Sequence, residues 1–541
     1  MASEAEVPRG CPSTHLLTHL RSRATDTLSP SEWYHHTREL YTVLVPDAHY
    51  SNVKTPDGCY LRKFSPDGRH LLAFSQDQRS VEYFQFRGST VGAPNLQNDD
   101  QNAVFKTFFE HVISISVCHG NEVLNRECSL FLENCDYVIV VSSYPLPDDV
   151  PPHMFETFQN NESLSPNYRF LLENYTIHIL NLKRGWSGVS DCRSFKCDKI
   201  FLSHNQGLSL CRSKLAILSS QHQSIHLFDI VDGLFIPLQV IGRFCYHSDN
   251  QLFTSSIHSS MANGEWSISS QSQQHQPFLE KWINSLKHRL LCYIKKEAEK
   301  VSLITGNNTH LMQFYRRFDY YNSLRIWKMQ LLDESTLLLK YSTEDVVTMR
   351  VSDPLSQPAF FVFYDIDTTQ IFGVYENSSL DFLKLYENSA ESFRVSVSHP
   401  LNWNNSCVSN CYYCRQLHQK FKLTITNARH GGVIEATKRL LVQVPVCSQS
   451  FSSSPYLDFN LFRYDDKWIS ALERPKPCGD TPVRFFTRKG SQISFILSSS
   501  AGGGGNKKLV AYIFHPYEPF IISIQKIDSD YVVHFHFRKS F

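Results

Sequence analysis

Three cysteines and a histidine, Cys407, Cys411, Cys414 and His418, have the residue types of a metal site. Thiolates and imidazole bind zinc, and four such groups can surround the ion as a tetrahedron. Spacings of four, three and four residues, however, also place these side chains along one face of a helix, in a line. We therefore favour a row of free thiols in the core or on the surface, and we expect neither a metal nor another cofactor.

Other catalytic motifs are missing from the sequence. It has no G-x-x-x-x-G-K-S/T phosphate loop, no G-x-S-x-G elbow and no H-E-x-x-H zinc motif. The four glycines at 502–505 lack a preceding strand and a following helix, so they are interpreted as a linker. The 24 histidines are dispersed, and His534 and His536 alternate with Phe535 and Phe537 as neighbours on a strand do. We expect a protein that is not an enzyme.

Charge and composition exclude further classes of function. The 541 residues include 53 Lys and Arg against 52 Asp and Glu, a net charge of +1. Binding to phosphate backbones or acidic membranes needs a basic excess, so neither a membrane nor direct, sequence-specific nucleic acid is expected as a partner. No signal peptide is recognisable, and apolar runs reach only about five residues, far short of a membrane span. Fifteen scattered cysteines suit a reducing compartment, the cytosol or nucleus.

A recurring hairpin must position whatever side chains carry the function. Residues 73–86 and 217–230 align without a gap: an apolar strand ends in serine, a polar turn follows, and a second strand begins at serine. Looser copies lie at 337–351, 468–488 and 521–537. Repeated tight turns of this kind are typical of antiparallel meanders, and four-stranded blades explain the repetition economically. The sequence predicts a mainly β fold, a degenerate WD-like β-propeller.

Two turns favour a propeller whose repeats are degenerate. Phe64-Ser-Pro-Asp-Gly68 and Phe514-His-Pro516 resemble the entry turns of WD repeats, but the chain has no Trp-Asp and no Gly-His dipeptide. The alternative is a β-sandwich built of ordinary hairpins, although repeats from residue 60 to the end exceed what one sandwich holds. At roughly 40–45 residues per blade, we expect about seven or eight blades.

Segments without hairpins divide the chain. A helical insertion is predicted at 278–330, because Ile283, Leu286, Leu290 and Ile294 recur at helical spacing. The remaining assignments are an N-terminal helical arm (1–50), a propeller-like body (51–541), a helical segment interrupted by two glycines (416–441), and flexible loops (254–277 and 498–508).

Long ungapped blocks of the sequence resemble the De-etiolated-1 family. The blocks cover residues 124–131, 195–208, 241–246, 283–291, 327–334, 454–458, 464–468 and 514–520. The resemblance implies a non-catalytic subunit of a cullin-4 RING E3 ubiquitin ligase in the nucleus, which promotes ubiquitination and proteasomal degradation of transcription factors. The implied partners are the damaged-DNA-binding-protein-1 adaptor with its small associated subunit, cullin-4 with its RING subunit, the constitutive-photomorphogenic-1 ligase, and a ubiquitin-conjugating E2 or E2 variant.

A second function stays open from the residues alone. A β-propeller can also serve as a transcriptional corepressor that binds histones outside ubiquitin transfer. The two functions differ in their partners, because only the ligase scaffold requires the adaptor and the cullin.

The N-terminal arm is the expected site of adaptor docking. Leu16, Leu17 and Leu20 share one helical face. Many receptors of the implied adaptor insert a short helical segment into it. Residues 15–23 of this sequence resemble such a segment. An exposed leucine stripe needs a partner, although these leucines could instead pack on the propeller. The residues expected to contact the adaptor are His15, Leu16, Leu17, His19, Leu20, Arg21 and Arg23.

Overall fold

The computed structural model is mainly β, as the hairpin pattern predicts. It describes residues 41, 44–89, 101–118, 120–146, 154–183, 188–242, 284–354, 357–389, 392–393, 419–420, 422–427, 429, 431–450, 452, 454–458, 461–464, 476–478, 482–487, 492–497, 508–527 and 530–539. The N-terminal docking residues 15–23, the row Cys407 to His418 and loop 254–277 lie outside these ranges, as does all of loop 498–508 except its last residue.

The strands and helices follow in chain order. The strands are β1 (Ala48–Val53), β2 (Tyr60–Phe64), β3 (His70–Phe74), β4 (Ser80–Phe86), β5 (Phe109–Ser116), β6 (Val123–Phe131), β7 (Tyr137–Pro145), β8 (Glu173–Asn181), β9 (Gly188–Asp198), β10 (Leu208–Cys211), β11 (Lys214–Ser219), β12 (Ser224–Val231), β13 (Leu234–Ile241), β14 (Leu324–Leu331), β15 (Thr336–Thr343), β16 (Ala359–Asp365), β17 (Ile371–Glu376), β18 (Phe462–Arg463), β19 (Lys476–Cys478), β20 (Val483–Thr487), β21 (Ile493–Leu497), β22 (Lys508–Phe514), β23 (Ile521–Ile527) and β24 (Asp530–Phe537). The helices are α1 (Gln101–Phe108), α2 (Met154–Thr157), α3 (Ser285–Thr305), α4 (Thr309–Arg316), α5 (Phe318–Ser323), α6 (Glu344–Val347), α7 (Leu380–Asn388) and α8 (Gly432–Leu440).

The strands form sheets of mostly four consecutive antiparallel strands, as a propeller requires. Sheet I is β2–β5, sheet II β6–β9, sheet III β10–β13 and sheet IV β14–β17. Sheet V pairs β18, β20 and β21, and sheet VI has the order β1-β24-β23-β22-β19. Pairing of Ala48 with Phe537 joins the two ends of the described chain in sheet VI. The strand therefore begins at Ala48, inside the region 1–50 that was assigned to the helical arm.

Apolar clusters show that the sheets pack on one another in chain order. One cluster joins sheets I and II, a second joins II and III, and a third joins III and IV. Two further clusters join sheet V to VI and sheet VI back to I. In the chain that follows sheet IV, Phe382 of α7 and Leu441 pack on Phe361 of β16. Sheets that pack in chain order, with the last against the first, match a degenerate propeller.

The described residues form six sheets, fewer than the seven or eight blades expected from length. The expectation allowed blades of about 40–45 residues, with helical insertions, over the span from residue 60 to the end. Helix α7, which was not predicted, occupies part of the chain between sheets IV and V.

The predicted hairpins at 73–86 and 217–230 are confirmed, and so is the hairpin at 521–537. In the second, Ser219 pairs with Ser224 across the turn. In the first, the Ser80 amide donates to Ser75 Oγ at 2.9 Å, which explains why serines flank the turn. The polar turn thus satisfies its own backbone, and the apolar strands on either side enter the core.

Two looser hairpin predictions are wrong. In 337–351, β15 ends at Thr343 and helix α6 follows, because Glu344 and Asp345 favour the first turn of a helix. In 468–488, β19 pairs with β22 and β20 pairs with β18 and β21. Proline is tolerated in edge strands, and Pro477 lies in β19 at the edge of sheet VI.

The two predicted entry turns meet where sheet VI contacts sheet I. The His515 Nε2 atom lies 2.7 Å from the Gly68 carbonyl, and the Tyr517 hydroxyl donates to the Pro66 carbonyl at 3.3 Å. The φ of Gly68 is +72°, and a β-carbon there would lie 2.8 Å from the His515 ring. Only glycine fits both the turn and this contact.

The described part of the predicted helical insertion 278–330 contains helices, but they end before residue 330. Helices α3 to α5 end at Ser323, and β14 begins at Leu324. Leu324 and Ile326 are buried with the polar Arg325 between them, so the apolar period is two and favours a strand. In the second helical segment, 416–441, α8 begins at Gly432 after Gly431, whose φ is +96°.

Side-chain amides cover the free edges of the first strands of sheets II and IV. Asn205 bonds both the N–H and the C=O of Ser129, Gln449 does the same for Phe131, and Gln223 for Ile326. All three amide residues have positive φ, of 61°, 50° and 52° respectively. Each thus replaces a neighbouring strand at an edge that would otherwise be unpaired.

A segment at 446–450 ties four sheets together near the first strands. Gln449 accepts from Lys63 of sheet I and bonds Phe131 of sheet II. Ser448 Oγ accepts from the Leu210 amide of sheet III at 2.8 Å, and the Val446 amide donates to a glutamine of sheet IV. These bonds fix the blades relative to one another around the centre of the body.

Candidate protein-interaction site

Helices α3, α4 and α5, residues 285–323, form one unit that we call the helical projection. At its base, Asn284 caps α3 by accepting from the Lys287 amide at 2.9 Å. The same side chain donates to the Gln223 carbonyl of sheet III at 3.2 Å. Leu286 and Leu290 are fully buried in the cluster between sheets III and IV. The first turns of α3 are therefore part of the core.

A buried ionic cluster fixes the same base. Arg325 Nη1 lies 2.5 Å from Glu162 Oε2, and Lys287 Nζ lies 3.8 Å from the same oxygen. Lys287 Nζ also donates to the Leu324 carbonyl. Glu162 and Lys287 are almost completely buried, and Arg325 is nearly so. Three segments distant in sequence, the loop at 162, helix α3 and strand β14, are thus held at one point.

Burial shifts the titration of this cluster. It lowers the pKa of Lys287 to about 7, an effect that the opposite charge of Glu162 partly offsets. Burial likewise raises the pKa of Glu162, against the attraction of Lys287 and Arg325. Buried ion pairs seldom add net stability, whereas removing one partner strongly destabilises the fold. The cluster is therefore suited to fix the direction of the helical projection.

The opposite end of the helical projection is exposed. Leu303 and Ile304, at the end of α3, are 83% and 84% exposed, and Met312 and Tyr315 of α4 are more than half exposed. Gly306, whose φ is +65°, ends α3 and lets the chain turn back into α4. A rigid base with an apolar end has the form of a protein-interaction element.

A cavity of about 40 Å³ lies among strands of sheets I, II and VI, and its lining includes Arg62, Arg126, Glu127 and His204. In it, Arg62 donates to the Glu127 carbonyl, and the Arg126 guanidinium lies 5.3 Å from the centroid of the Tyr60 ring. The described lining contains no serine, cysteine or aspartate, and no described cluster of His, Cys, Asp and Glu could hold a metal. Among the described helices, none is long and apolar enough to cross a membrane.

The alternating histidines are strand neighbours in β24, as predicted. Both are buried, and His536 Nε2 lies 3.0 Å from Ser523 Oγ. Burial lowers the pKa of His534 to about 4 and that of His536 to about 3. They are neutral packing residues at neutral pH.

Sequence reasoning found the start of the helical projection but missed its anchor. The spacing of Leu286 and Leu290 indicates a buried helix face. Glu162 and Arg325 lie 163 residues apart in the chain, within polar and mixed surroundings that carry no motif. Only the folded structure brings these two side chains together, so no sequence pattern could identify the pair.

Comparison with known proteins places these features in a family. The family model described as De-etiolated protein 1 Det1 matches residues 126–539. This chain belongs to that family. The matched range runs from sheet II to the last strand of sheet VI and includes the whole helical projection. The De-etiolated-1 resemblance of the sequence blocks is thus confirmed.

Two curated relatives support the De-etiolated-1 assignment. Both are named light-mediated development protein DET1, one from Arabidopsis thaliana and one from Solanum lycopersicum. The first is 30% identical over 466 residues, 80% of this chain and 82% of the relative. The second is 30% identical over 450 residues, 80% of this chain and 81% of the relative. A chain of the yeast Nup82–Nup159–Nup116 nucleoporin complex is similar over 89% of this chain and 87% of its own, but at 8% identity and a TM-score of 0.25 this likeness carries no argument.

Proposed function

We propose that this protein is a non-catalytic scaffold and substrate-recruiting subunit of a nuclear cullin-4 RING E3 ubiquitin ligase. It docks on the damaged-DNA-binding-protein-1 adaptor and its small associated subunit. It brings the constitutive-photomorphogenic-1 ligase together with a ubiquitin-conjugating E2 or E2 variant, so that transcription factors are ubiquitinated and degraded. The plant relatives are named for light-mediated development. The proposed role assigns a comparable part in developmental regulation to this chain.

Family membership over residues 126–539 is the observation that carries the proposal. The geometry supports a scaffold, since a body of packed sheets holds a helical projection at a fixed base and presents its exposed end. A scaffold needs binding surfaces rather than a nucleophile.

Adaptor docking is assigned to the N-terminal residues His15–Arg23. Leu17 and Leu20 would be the apolar anchors, and burying a leucine is worth about 1.5–3 kcal/mol. Changing both to aspartate should therefore weaken adaptor binding at least tenfold, since tenfold corresponds to about 1.4 kcal/mol. The measurement is biolayer interferometry between the purified full-length chain and the purified adaptor.

Thr18→Asp is the matched control, because helical spacing predicts that Thr18 faces away from Leu17 and Leu20. It should leave adaptor binding within twofold of wild type. Unchanged binding of the Leu17→Asp, Leu20→Asp variant, or a lowered melting temperature of that variant, would show that these leucines are not the docking anchors. Wild-type protein that binds purified histones and not the adaptor would favour the corepressor function instead.

A further inference from the structure

Two irregular strands build the cavity that Arg62 and Arg126 line, which we call the arginine cavity. The register of β2 on β3 shifts at Arg62, and the register of β6 on β7 shifts across Arg126 and Glu127. Bulges of this kind re-aim side chains and are over-represented at sheet edges and beside active sites. Two neighbouring sheets each have a bulge here, and the bulged residues line the same cavity. The bulges thus bring two arginines to one place.

The Arg126 guanidinium contacts only neutral groups among the residues that the structure describes. Its Nη2 atom donates to the Gln76 carbonyl at 3.3 Å, and the guanidinium lies 5.3 and 5.9 Å from the ring centroids of Tyr60 and Tyr531. These two rings contact each other edge to face and support the cation. The Nε atom is buried and has no hydrogen-bond partner in the described part of the chain. A buried cationic donor of this kind requires an acceptor.

The arginine cavity has the size of one small oxyanion. A water-sized group needs about 10–15 Å³, so a cavity of about 40 Å³ holds roughly three or four such groups. A tetrahedral anion has four oxygens, whereas a nucleotide is far larger. Guanidinium groups bind oxyanions through charge-assisted hydrogen bonds. His204 and Tyr512 add an imidazole and a hydroxyl group to the lining.

Glu127 discriminates between oxyanions of similar size. Arg62 donates to its carbonyl at 3.1 Å, so Glu127 is held beside the cationic lining. Its carboxylate accepts hydrogen bonds and repels a fully ionised anion such as sulfate. Hydrogen phosphate keeps a proton at neutral pH. Its hydroxyl group can donate to the carboxylate while its other oxygens accept from the arginines.

We propose that the arginine cavity binds inorganic phosphate as hydrogen phosphate, with oxygens that accept from Arg62 and Arg126 and a hydroxyl group that donates to Glu127. This ligand site is independent of adaptor docking and of the scaffold role. Because the cavity lies among sheets I, II and VI, the bound anion joins the last sheet to the first two. Phosphate therefore raises the melting temperature of the body.

Isothermal titration calorimetry of the purified full-length chain, at neutral pH and constant ionic strength, tests the proposal. We expect the chain to bind one inorganic phosphate. Sulfate should bind at least tenfold more weakly, because it has no proton to donate to Glu127. Phosphoserine should also bind at least tenfold more weakly, because it exceeds the cavity. This comparison distinguishes free phosphate from a phosphate group on a larger molecule.

Variants of the lining separate the roles of the residues. Arg126→Gln should lower the phosphate affinity at least tenfold, and Arg126→Lys, which keeps the charge without the planar fork, should lower it less. Glu127→Gln should remove the preference for phosphate over sulfate, because an amide can donate to a sulfate oxygen. Arg87→Gln is the matched control, since Arg87 pairs with Glu110 outside the cavity. It should leave the phosphate affinity within twofold of wild type.

Three results would overturn the proposal. They are the absence of saturable phosphate binding, equal wild-type affinities for phosphate, sulfate and chloride, and wild-type phosphate affinity in a folded Arg126→Gln variant. If Arg126→Gln has no melting transition, Glu127→Gln decides. A retained preference for phosphate in that variant would also overturn the proposal.

Discussion

Replacement of Asn205 by alanine should open the edge of sheet II. Asn205 is 1% exposed, and its amide accepts from the Ser129 N–H at 3.0 Å and donates to the Ser448 carbonyl at 3.1 Å. Alanine would leave both buried groups without these partners, at about 1–3 kcal/mol each. A positive φ for alanine adds about 1 kcal/mol of strain. We expect strand β6 to become easier to open by about 3–7 kcal/mol.

Hydrogen–deuterium exchange followed by mass spectrometry measures this opening in the peptides of β6. Since 1.4 kcal/mol is a factor of ten, protection of the Ser129 amide should fall by roughly a hundredfold or more. Asn205→Gly removes the same bonds without the strain. Protection of the Ser129 amide should therefore fall about fivefold less than in Asn205→Ala. Asn134→Ala, in an exposed turn where the side chain accepts from the Asp136 amide, is the matched control and should leave β6 unchanged. Protection of β6 within threefold of wild type in Asn205→Ala would refute the assignment of the amide as an edge cover.

Two further predictions concern buried charges. Burial, followed by the like charge of Lys328, lowers the pKa of Lys340 to about 7, whereas an unfolded lysine holds its proton until about pH 10.5. The unfolded chain therefore binds more protons between these pH values, and the free energy of unfolding rises with pH across that window. Lys340→Met should raise the free energy of unfolding at pH 7 by about 2–4 kcal/mol and reduce this slope, as measured by urea titration at several pH values; an unchanged slope would contradict the shift. Glu162→Gln leaves two buried cations without their carboxylate and should destabilise the base of α3 by about 3–5 kcal/mol. Faster exchange confined to α3 and β14 would support this, and exchange equal to wild type would count against the cluster as an anchor.

The β architecture was predictable because its signal is local. The serines that flank the turns at 75–80 and 219–224 both end the strands and satisfy the turn backbone, so sequence and structure report the same interaction. The start of helix α3 was predictable for the same reason, since Leu286 and Leu290 face one side at helical spacing.

The remaining features depend on contacts between distant segments. Asn205, Gln223 and Gln449 stand in unrelated sequence contexts, and a positive φ at a residue other than glycine carries no compositional mark. Glu162 lies in the connection between β7 and β8, and only the folded chain brings it to Arg325 of β14. Chain length alone does not give the number of sheets, because it does not reveal which residues, such as those of helix α7, lie outside them. The N-terminal docking helix stays a prediction, since its residues lie outside those the structure describes.

Native mass spectrometry of the tagged full-length protein, isolated from nuclei without crosslinking, tests the scaffold role most directly. The account predicts one copy of this chain bound to one copy of the damaged-DNA-binding-protein-1 adaptor, with cullin-4 in the same particle. The particle should lose the adaptor when Leu17 and Leu20 are changed to aspartate, and should keep it with Thr18→Asp. A chain recovered alone, or with histones and without the adaptor, would contradict the account.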